Sequence, residues 1–586
     1  MTKKVLFLLS GFLWPLQNVQ AQNTENIISH NQETIVTDPS KGENSYKRWT
    51  TFPSKDKEIR QIWLNLTFEC PDNMRCADWD YVDHIKVRPK NDTISYEIAR
   101  MLTPYGGRFQ EDWRFDWKVD ITDFSPILRD SLEVDYIHTG YEDDKSNPIE
   151  NHLQPISLKA HTKSTFGKVK IHQTGHGMDA NGCGEFCDKY REILNNGNVI
   201  DRKQLWMECG DNPLYPQAGT WIFDRANWCP GYLLQPDEVE FKLNAGKEYT
   251  IDLNMEPYET EKPSAKELLV AYVLEYGEIN AENDVSLVDI ISPSNEKIHS
   301  RKNETGALAV IRIKNNGKDN LKSFVVKYYL EGQKPKKYNW NGNVPFGETA
   351  LLTLPEEIVG DKESARFFVE LKRPNGKRDG FIADNTKSSV YTRPNILPES
   401  SIIYFKTNNK PGQNSYSVSN SFGKEVFKRD SLELKPNTVY LDTLTLQEGN
   451  YTFKVTDKGG DGLEFWFKAK DGNGSVKLLD TLGQAIKHFN SDFGSHIIYN
   501  FRVKPGVGYH LDNEPSINMF PARTQGPVTL DYFANHEKDV QVIITQQEDE
   551  SKIVETHTYL GFKKGIFTYD LSYLPKMRYY IKVVID

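Results

Sequence analysis

An all-β chain made of several sandwich or jelly-roll modules is predicted, and three observations predict it. Apolar residues recur with a period of two, as at Ile62, Leu64, Leu66 and Phe68 and again at Trp117, Val119 and Ile121, the mark of strands with one buried face. Gly, Pro, Asn and Asp punctuate the chain at short intervals, and 586 residues carry 11 Trp, 29 Tyr and 29 Phe, types that suit a half-buried pleated surface. No long heptad pattern is visible. At about 150 residues per domain the length predicts roughly four domains.

The elements follow in order. Lys3 and Lys4 precede an apolar run from Val5 to Leu16, and Val19-Gln20-Ala21 offers a cleavage site, so residues 1–21 read as a secretory signal peptide cleaved after Ala21. Residues 22–44 are polar and poor in aromatics and read as a flexible leader. A first β lobe is expected over 45–153, where Leu132, Val134 and Tyr136 alternate after the run ending at Ile121. A second lobe is expected over 154–284, with turn-rich loops around Thr174-Gly175-His176-Gly177 and over 204–231. Residues 285–395 alternate at Ile311, Ile313, Phe324, Val326 and Tyr328, which predicts an immunoglobulin-like sandwich. Tyr451, Phe453 and Val455, then Leu463, Phe465 and Phe467, predict an accessory sandwich over 396–513, and 514–586 form a last β module.

Bulk properties exclude some functions. The formal charge is −10 with no long basic run, which argues against nucleic acid as a partner. After the signal no apolar run reaches membrane-spanning length, and no cysteine follows the cleavage site to carry a lipid anchor. A secreted, periplasmic or cell-surface monomer is expected. The cysteines, at 70, 76, 183, 187, 209 and 229, are even in number, so disulfides are expected in an oxidising compartment. Nearest neighbours would pair Cys70 with Cys76, Cys183 with Cys187 and Cys209 with Cys229, though six cysteines allow fifteen pairings.

The stretch 69–81 concentrates candidate chemistry. Cys70 and Cys76 close a short loop, and Asp78 and Asp80 follow it around Trp79. The flanking alternation reads as a hairpin with Asp80 at the base of the outgoing strand. In such a strand Asp78 and Asp80 would share a face, with Trp79 opposite. They read as an acid/base couple, or as carboxylates capping turn amides. Glu185, between Cys183 and Cys187, reads as a constrained catalytic acid or as a solvent-facing residue of a structural staple. Arg225, after Asp224, could clamp a carboxylate or polarise a carbonyl, or form a plain surface ion pair. His172 and His176 near Cys183 and Cys187 raise a zinc site, but disulfides suit the compartment better and no metal is expected. Asp457, Gly459, Asp461 and Gly462 resemble part of a calcium loop without its full pattern, and a tight turn is the reading preferred.

Several motifs, in order, resemble the bacterial F-type peptide:N-glycanases: Glu69-Cys70-Pro71 with Cys76-Ala77-Asp78-Trp79-Asp80; Tyr96-Glu97-Ile98-Ala99-Arg100 with Thr103-Pro104-Tyr105; Val119-Asp120-Ile121-Thr122-Asp123-Phe124; Gly175-His176 with Gly182-Cys183-Gly184-Glu185-Phe186-Cys187; and Asp224-Arg225-Ala226-Asn227-Trp228-Cys229-Pro230-Gly231. The resemblance covers roughly 45–278 and all six cysteines, and so favours the nearest-neighbour pairing. It implies two adjacent antiparallel jelly rolls, followed here by the further β-sandwich modules, with a site between the rolls. It implies that Asp80 activates water on the asparagine amide, that Glu185 faces it from the other lobe, and that Arg225 holds substrate or the developing oxyanion. Trp79, Asp78, Gly140, Tyr141, His176 and Trp228 are expected to bind substrate. N-glycoproteins or glycopeptides are the implied partners, and no cofactor is implied.

Two departures stand out. Ala77 sits where the family often has aspartate, and the segment Ile137-His138-Thr139-Gly140-Tyr141-Glu142 offers no clean match to a family glutamate. Room for an α1,3-linked core fucose is the expectation drawn from them. The C-terminal stretch 567–584 more weakly resembles a type IX secretion sorting domain. The rival readings are a non-catalytic glycan-binding surface protein and a two-carboxylate glycoside hydrolase.

Overall fold

Alternation in sequence becomes alternation in burial. Along Arg114–Asp120 the residues Phe115, Trp117 and Val119 are buried and their neighbours exposed. The computed structural model describes residues 25–36, 40, 44–54, 57, 59, 61–69, 77, 79–104, 114–122, 129–142 (backbone only), 149–178, 183–257, 265–522, 524, 526–546 and 551–586. The expected signal peptide, the Cys70–Cys76 pairing and Asp78 lie outside these residues, as do the side chains of Gly140 and Tyr141. The chain divides into two units, Met1–Glu58 and Ile59–Asp586. Among the described residues of the first unit no strand forms; Tyr46 Oη accepts the Val36 N–H at 2.7 Å and Arg48 pairs with Glu33.

The second unit is nearly all antiparallel sheet. Its first strands are β1 (Trp63–Glu69), β2 (Val82–Val87), β3 (Tyr96–Leu102), β4 (Arg114–Asp120), β5 (Arg129–Glu142), β6 (Ile156–Lys159), β7 (Phe166–His176), β8 (Lys189–Asn195), β9 (Asn198–Leu205), β10 (Leu233–Leu234), β11 (Asp237–Lys242), β12 (Glu248–Met255) and β13 (Lys266–Ile279). The sheets β1-β4 and β10-β3-β2 enclose a core of Ala99, Met101, Phe115, Trp117, Val119 and Leu233. The sheets β11-β7-β13-β5 and β6-β12-β8-β9 enclose Val169, Ile171, Ile193, Ile251, Leu253 and Val273. Each buried aliphatic side chain contributes about 1.5–3 kcal/mol by leaving water.

The hairpin expected around residue 70 does not form. β1 pairs with β4 and β2 with β3, so the chain between β1 and β2 crosses from one sheet to another. The period of two identifies a strand's buried face but carries no information about its neighbour. β5 likewise joins the edge of the β11-β7-β13 sheet and β10 joins β3, so the chain passes three times between the two pairs of sheets, after β4, after β9 and after β10. β7 is buried on both faces. One face lies in the core; the other carries Lys168, Lys170, His172, Thr174 and His176, and Thr174 there meets Arg100 of β3.

Three further β modules follow. Strands Val285–Ser292, Leu308–Asn315 and Thr349–Glu357 form a three-stranded sheet, and Lys336–Val344, Leu321–Leu330, Ser364–Lys372 and Thr386–Thr392 form a four-stranded one. They pack around Ile311, Phe324, Val326, Tyr328 and Phe367. The next sandwich sets a five-stranded sheet against a four-stranded one, with Phe405, Tyr416, Phe453 and Phe501 inside. Long strands Pro527–Thr545 and Ile553–Asp570 dominate the last sheet. Arg301 ties modules together: Nη1 donates to the Asn212 carbonyl at 3.0 Å, and Nη2 to those of Phe493 and His496 at 2.6 and 2.7 Å.

Candidate active site

Asp80 is held by its neighbours' backbone. Thr103, buried just past the end of β3, donates its hydroxyl to the Trp79 carbonyl at 2.9 Å and accepts the Tyr81 N–H at 2.8 Å. Its own N–H donates to the Tyr81 carbonyl at 3.0 Å. Two of these bonds fix the peptides on either side of Asp80, and the third fixes the next peptide along. The cost of ordering the carboxylate is met during folding, before any substrate arrives.

Glu185 and Arg225 arrive on segments laced to each other. Ala226 N–H donates to the Glu185 carbonyl at 2.8 Å, Glu185 N–H to Gly177 at 2.8 Å, and Met207 and Arg225 exchange both backbone bonds. Gly184 has φ +107°, and a Cβ there would stand 2.6 Å from the Gly177 and His176 carbonyls. A Cβ on Gly175 would meet the Gly184 carbonyl at 2.5 Å. The glycines of this motif permit the close approach of chains that brings Glu185 to Arg225. Disulfides Cys183–Cys187 and Cys209–Cys229 close the two loops. Asp224 accepts the Cys209 N–H at 2.9 Å, so it fixes the loop instead of pairing with Arg225.

The Arg225 guanidinium joins the lobes. Its Nε donates to Glu185 Oε1 at 2.7 Å and its Nη2 lies 3.4 Å from Asp80 Oδ2. Nη1 donates to the Phe223 carbonyl at 2.6 Å and Nη2 to that of Thr220 at 3.2 Å. The ring of Trp228 lies 5.0 Å from the guanidinium and that of Phe186 5.3 Å. The arginine side chain is 1% exposed, against 16% for Asp80 and 18% for Glu185, so the acids face the opening and the base lies beneath them. The guanidinium's bonds fix it as a rigid fork.

Burial raises both acids above the usual carboxylate range. For Asp80, desolvation outweighs the opposing pull of Arg225. For Glu185, desolvation again dominates, Arg225 opposes it, and the Asp80 charge pushes further upward. Two acids around one guanidinium, one bonded at 2.7 Å and the other reached only at 3.4 Å, give unequal partners. Asp80 is the one whose oxygens are less committed, and a proton acceptor needs a free oxygen.

The expected substrate contacts separate into two groups. Trp79 stands beside Asp80, 65% exposed, free to meet a ligand. His176 and Trp228 do not: both are buried, ring on ring at 5.1 Å. The correction has a simple cause, since the Trp228 indole donates to the Gly175 carbonyl at 2.8 Å and His176 Nε2 meets Thr174 Oγ1 at 2.7 Å, turning both rings inward. From Thr174 a buried polar chain runs through Arg100 and Glu97 to His84, with contacts of 2.7, 2.8 and 2.8 Å. This network holds His176, and His176 backs the Trp228 ring that lies 5.0 Å from the Arg225 guanidinium. Zinc ligation by His172, His176 and the cysteines is overturned by the Cys183–Cys187 bond, which removes the thiolates. In the loop compared with a calcium site, Lys468 takes the Asp461 carboxylate at 2.6 Å and Asp457 accepts the Gly459 and Asp461 N–H groups at 3.0 Å; it is a tight turn. Sequence reasoning missed Thr103 as a clamp, although it lies in a quoted motif, and missed the carbonyls of Phe223 and Thr220 that orient Arg225.

Residues 145–274 match the family described as peptide-N-glycosidase F, C terminal. The chain is 26% identical over 272 residues to the peptide-N(4)-(N-acetyl-beta-D-glucosaminyl)asparagine amidase F of Elizabethkingia miricola, spanning 39% of this chain and 76% of the relative. Over this stretch the chain is PNGase F-like. Among solved structures, a recombinant PNGase F matches at 20% identity over 39% of this chain and 88% of its own, with a TM-score of 0.33. PNGF-II in its P21 form matches at 14% identity over 38% and 59%, with a TM-score of 0.30. The matched family region thus takes in β6 to β12 and most of β13, and residues beyond 274 lie outside it.

Proposed function

We propose that the protein is a secreted amidase that hydrolyses the bond between an asparagine side-chain amide and the innermost N-acetylglucosamine of an N-glycan. The observation that carries the proposal is Arg225 meeting Glu185 at 2.7 Å and Asp80 at 3.4 Å, with both acids open to the surface and Trp79 exposed alongside. The 26% identical relative named for this amidase activity supports it.

An amide is a weak electrophile, so hydrolysis needs an activated water and a stabilised oxygen. In the proposed mechanism Asp80, fixed by Thr103, accepts a proton from water as its oxygen attacks the amide carbon. Arg225 holds Glu185 and steadies the negative charge that develops across the site. Glu185, made a weaker acid by burial and by Asp80, holds the substrate near the amide. Asp80 returns that proton to the departing nitrogen as the amide C–N bond breaks, leaving aspartate in the peptide and a glycosylamine, which a second water later converts to the free sugar and ammonia. Digestion of a defined N-glycopeptide, followed by mass measurement, tests this. Aspartate at the former glycosylation site supports it; N-acetylglucosamine left on asparagine would assign glycosidase chemistry, and an untouched glycopeptide a binding protein.

Tolerance of an α1,3-linked core fucose is proposed from the departures at Ala77 and over 137–142. Glycopeptides with that fucose are expected to be cleaved alongside unfucosylated ones; cleavage of the unfucosylated alone would refute it. The last module is proposed as a type IX sorting domain, tested by whether its deletion traps the protein inside the cell.

A further inference from the structure

The accessory sandwich does more than follow the PNGase F-like part; it closes on it. A groove of about 610 Å³ lies between them, lined on one side by residues from Phe186, Trp206 and Glu208 to Asp224, and on the other by the segment around Thr456–Gly460 and His496. Its lining includes chain neighbours of the candidate active site. Glu185 lies in the site and Phe186 in the groove; Arg225 lies in the site and Asp224 in the groove. Met207, next to Trp206, exchanges backbone bonds with Arg225 at 2.9 and 3.2 Å. The two spaces share a wall.

The lining tells what it can hold. Most of its charges are already spent inside the protein: Lys468 on Asp461 at 2.6 Å, Lys454 on Glu304 at 2.9 Å, and Asp211 on His496 at 3.2 Å. What remains is different in kind. Trp206 is half-buried, and its ring stacks on no other aromatic ring among the described residues. Glu208 on one wall and Lys458 on the other are exposed and make no side-chain bond with the described residues. An indole face with one free acceptor and one free donor, in an open and mostly polar groove, matches a neutral sugar: an apolar ring face and a rim of hydroxyls. A peptide would call for deeper apolar pockets, and an anionic ligand for more than the one cation left free among the described residues, Lys458, which Glu208 offsets.

We propose that this groove is a second saccharide subsite, which takes the outer, neutral part of an N-glycan while its innermost sugar lies at Asp80. Trp206 stacks on a sugar ring, and Glu208 and Lys458 bond its hydroxyls. The proposal rests on the amidase reading above. The accessory sandwich thereby supplies glycan selectivity to a site it does not itself contain.

The test compares two glycopeptides with the same peptide, one carrying only the two innermost N-acetylglucosamine residues and one carrying a complete high-mannose glycan. Trp206→Ala is expected to lower kcat/KM for the full glycan about tenfold through KM, with the short glycopeptide unchanged. Lys458→Ala, an exposed change that leaves the fold alone, is expected to act in the same direction by about threefold. Equal losses on both glycopeptides, or no loss on either, would overturn the subsite. Titrating released high-mannose glycan against wild type and Lys458→Ala by calorimetry reads the groove without turnover. Binding weakened by Lys458→Ala supports the subsite even where no amidase activity is found, and failure of the wild type to bind the glycan refutes it.

Discussion

Replacing Asp80 by Asn separates chemistry from folding. The substitution preserves the shape of the side chain and leaves the Thr103 bonds to the Trp79 and Tyr81 peptides in place. It removes the proton acceptor. Loss of a positioned general base costs about 10²–10⁴ in rate, or about 2.7–5.5 kcal/mol on the barrier. Stability should move the other way. Burial lifts the Asp80 carboxyl above its ordinary 3.8, so the folded protein disfavours the charged form. Such a group stabilises the fold below its ordinary pKa and loses that contribution as pH rises through the raised value. At neutral pH the neutral amide therefore removes a strain, offset by the weak 3.4 Å contact with Arg225. Glycopeptide digestion read by mass spectrometry should find activity down by at least a hundredfold, and a thermal melt at neutral pH should find the midpoint unchanged or slightly higher. Activity within tenfold of wild type, or a midpoint lowered by many degrees, would refute the role given to Asp80.

Other outcomes follow from the same geometry. Arg225→Lys replaces a fork with a single ammonium and leaves buried carbonyls unpaired; kcat/KM should fall about 10²–10³-fold, and stability by about 2–4 kcal/mol in denaturant titration. Thr103→Val keeps volume but frees the Asp80 peptides, so kcat should drop roughly tenfold with little change in KM, read from steady-state kinetics. His172 is buried, its ring nitrogens meet no hydrogen-bonding partner among the described residues, and burial lowers its pKa to about 3. Its neutral form stabilises the fold above the ordinary histidine pKa of 6.5, and that contribution is lost as pH falls from there toward 3, at up to about 1.4 kcal/mol per pH unit. His172→Phe should therefore melt closer to its neutral-pH midpoint when moved to mild acid than the wild type does.

Local pattern carried the strands, and ordered motifs carried the site. Phe115, Trp117 and Val119 could be placed inward from spacing alone. The meeting of Asp80, Glu185 and Arg225 was legible only through motifs taken together, since no short-range signal links residues so far apart in sequence. Pairing was not legible: nothing in β1 distinguishes β4 from β2 as a neighbour, because both offer an apolar face of the same period. Direction inside a motif was hidden too. His176 and Trp228 turn inward because backbone carbonyls and Thr174 claim their polar atoms, a contest decided by three-dimensional neighbours. The approach of the accessory sandwich was equally silent, although Phe465 and Phe467 pack on Phe223 and the Trp466 indole reaches the Gly219 carbonyl at 3.1 Å.

Arg301 gives this architecture a practical meaning. A residue of the module that follows β13 grips the Asn212 carbonyl of the loop region leading to Arg225 and, with the same guanidinium, two carbonyls of the next module. Shortening the chain to the part that matches known amidases would cut this rivet and bare Trp221 and Ile222, which Phe465 covers. Anyone seeking a minimal glycan-removing reagent from this sequence should keep the module that carries Phe493 and His496.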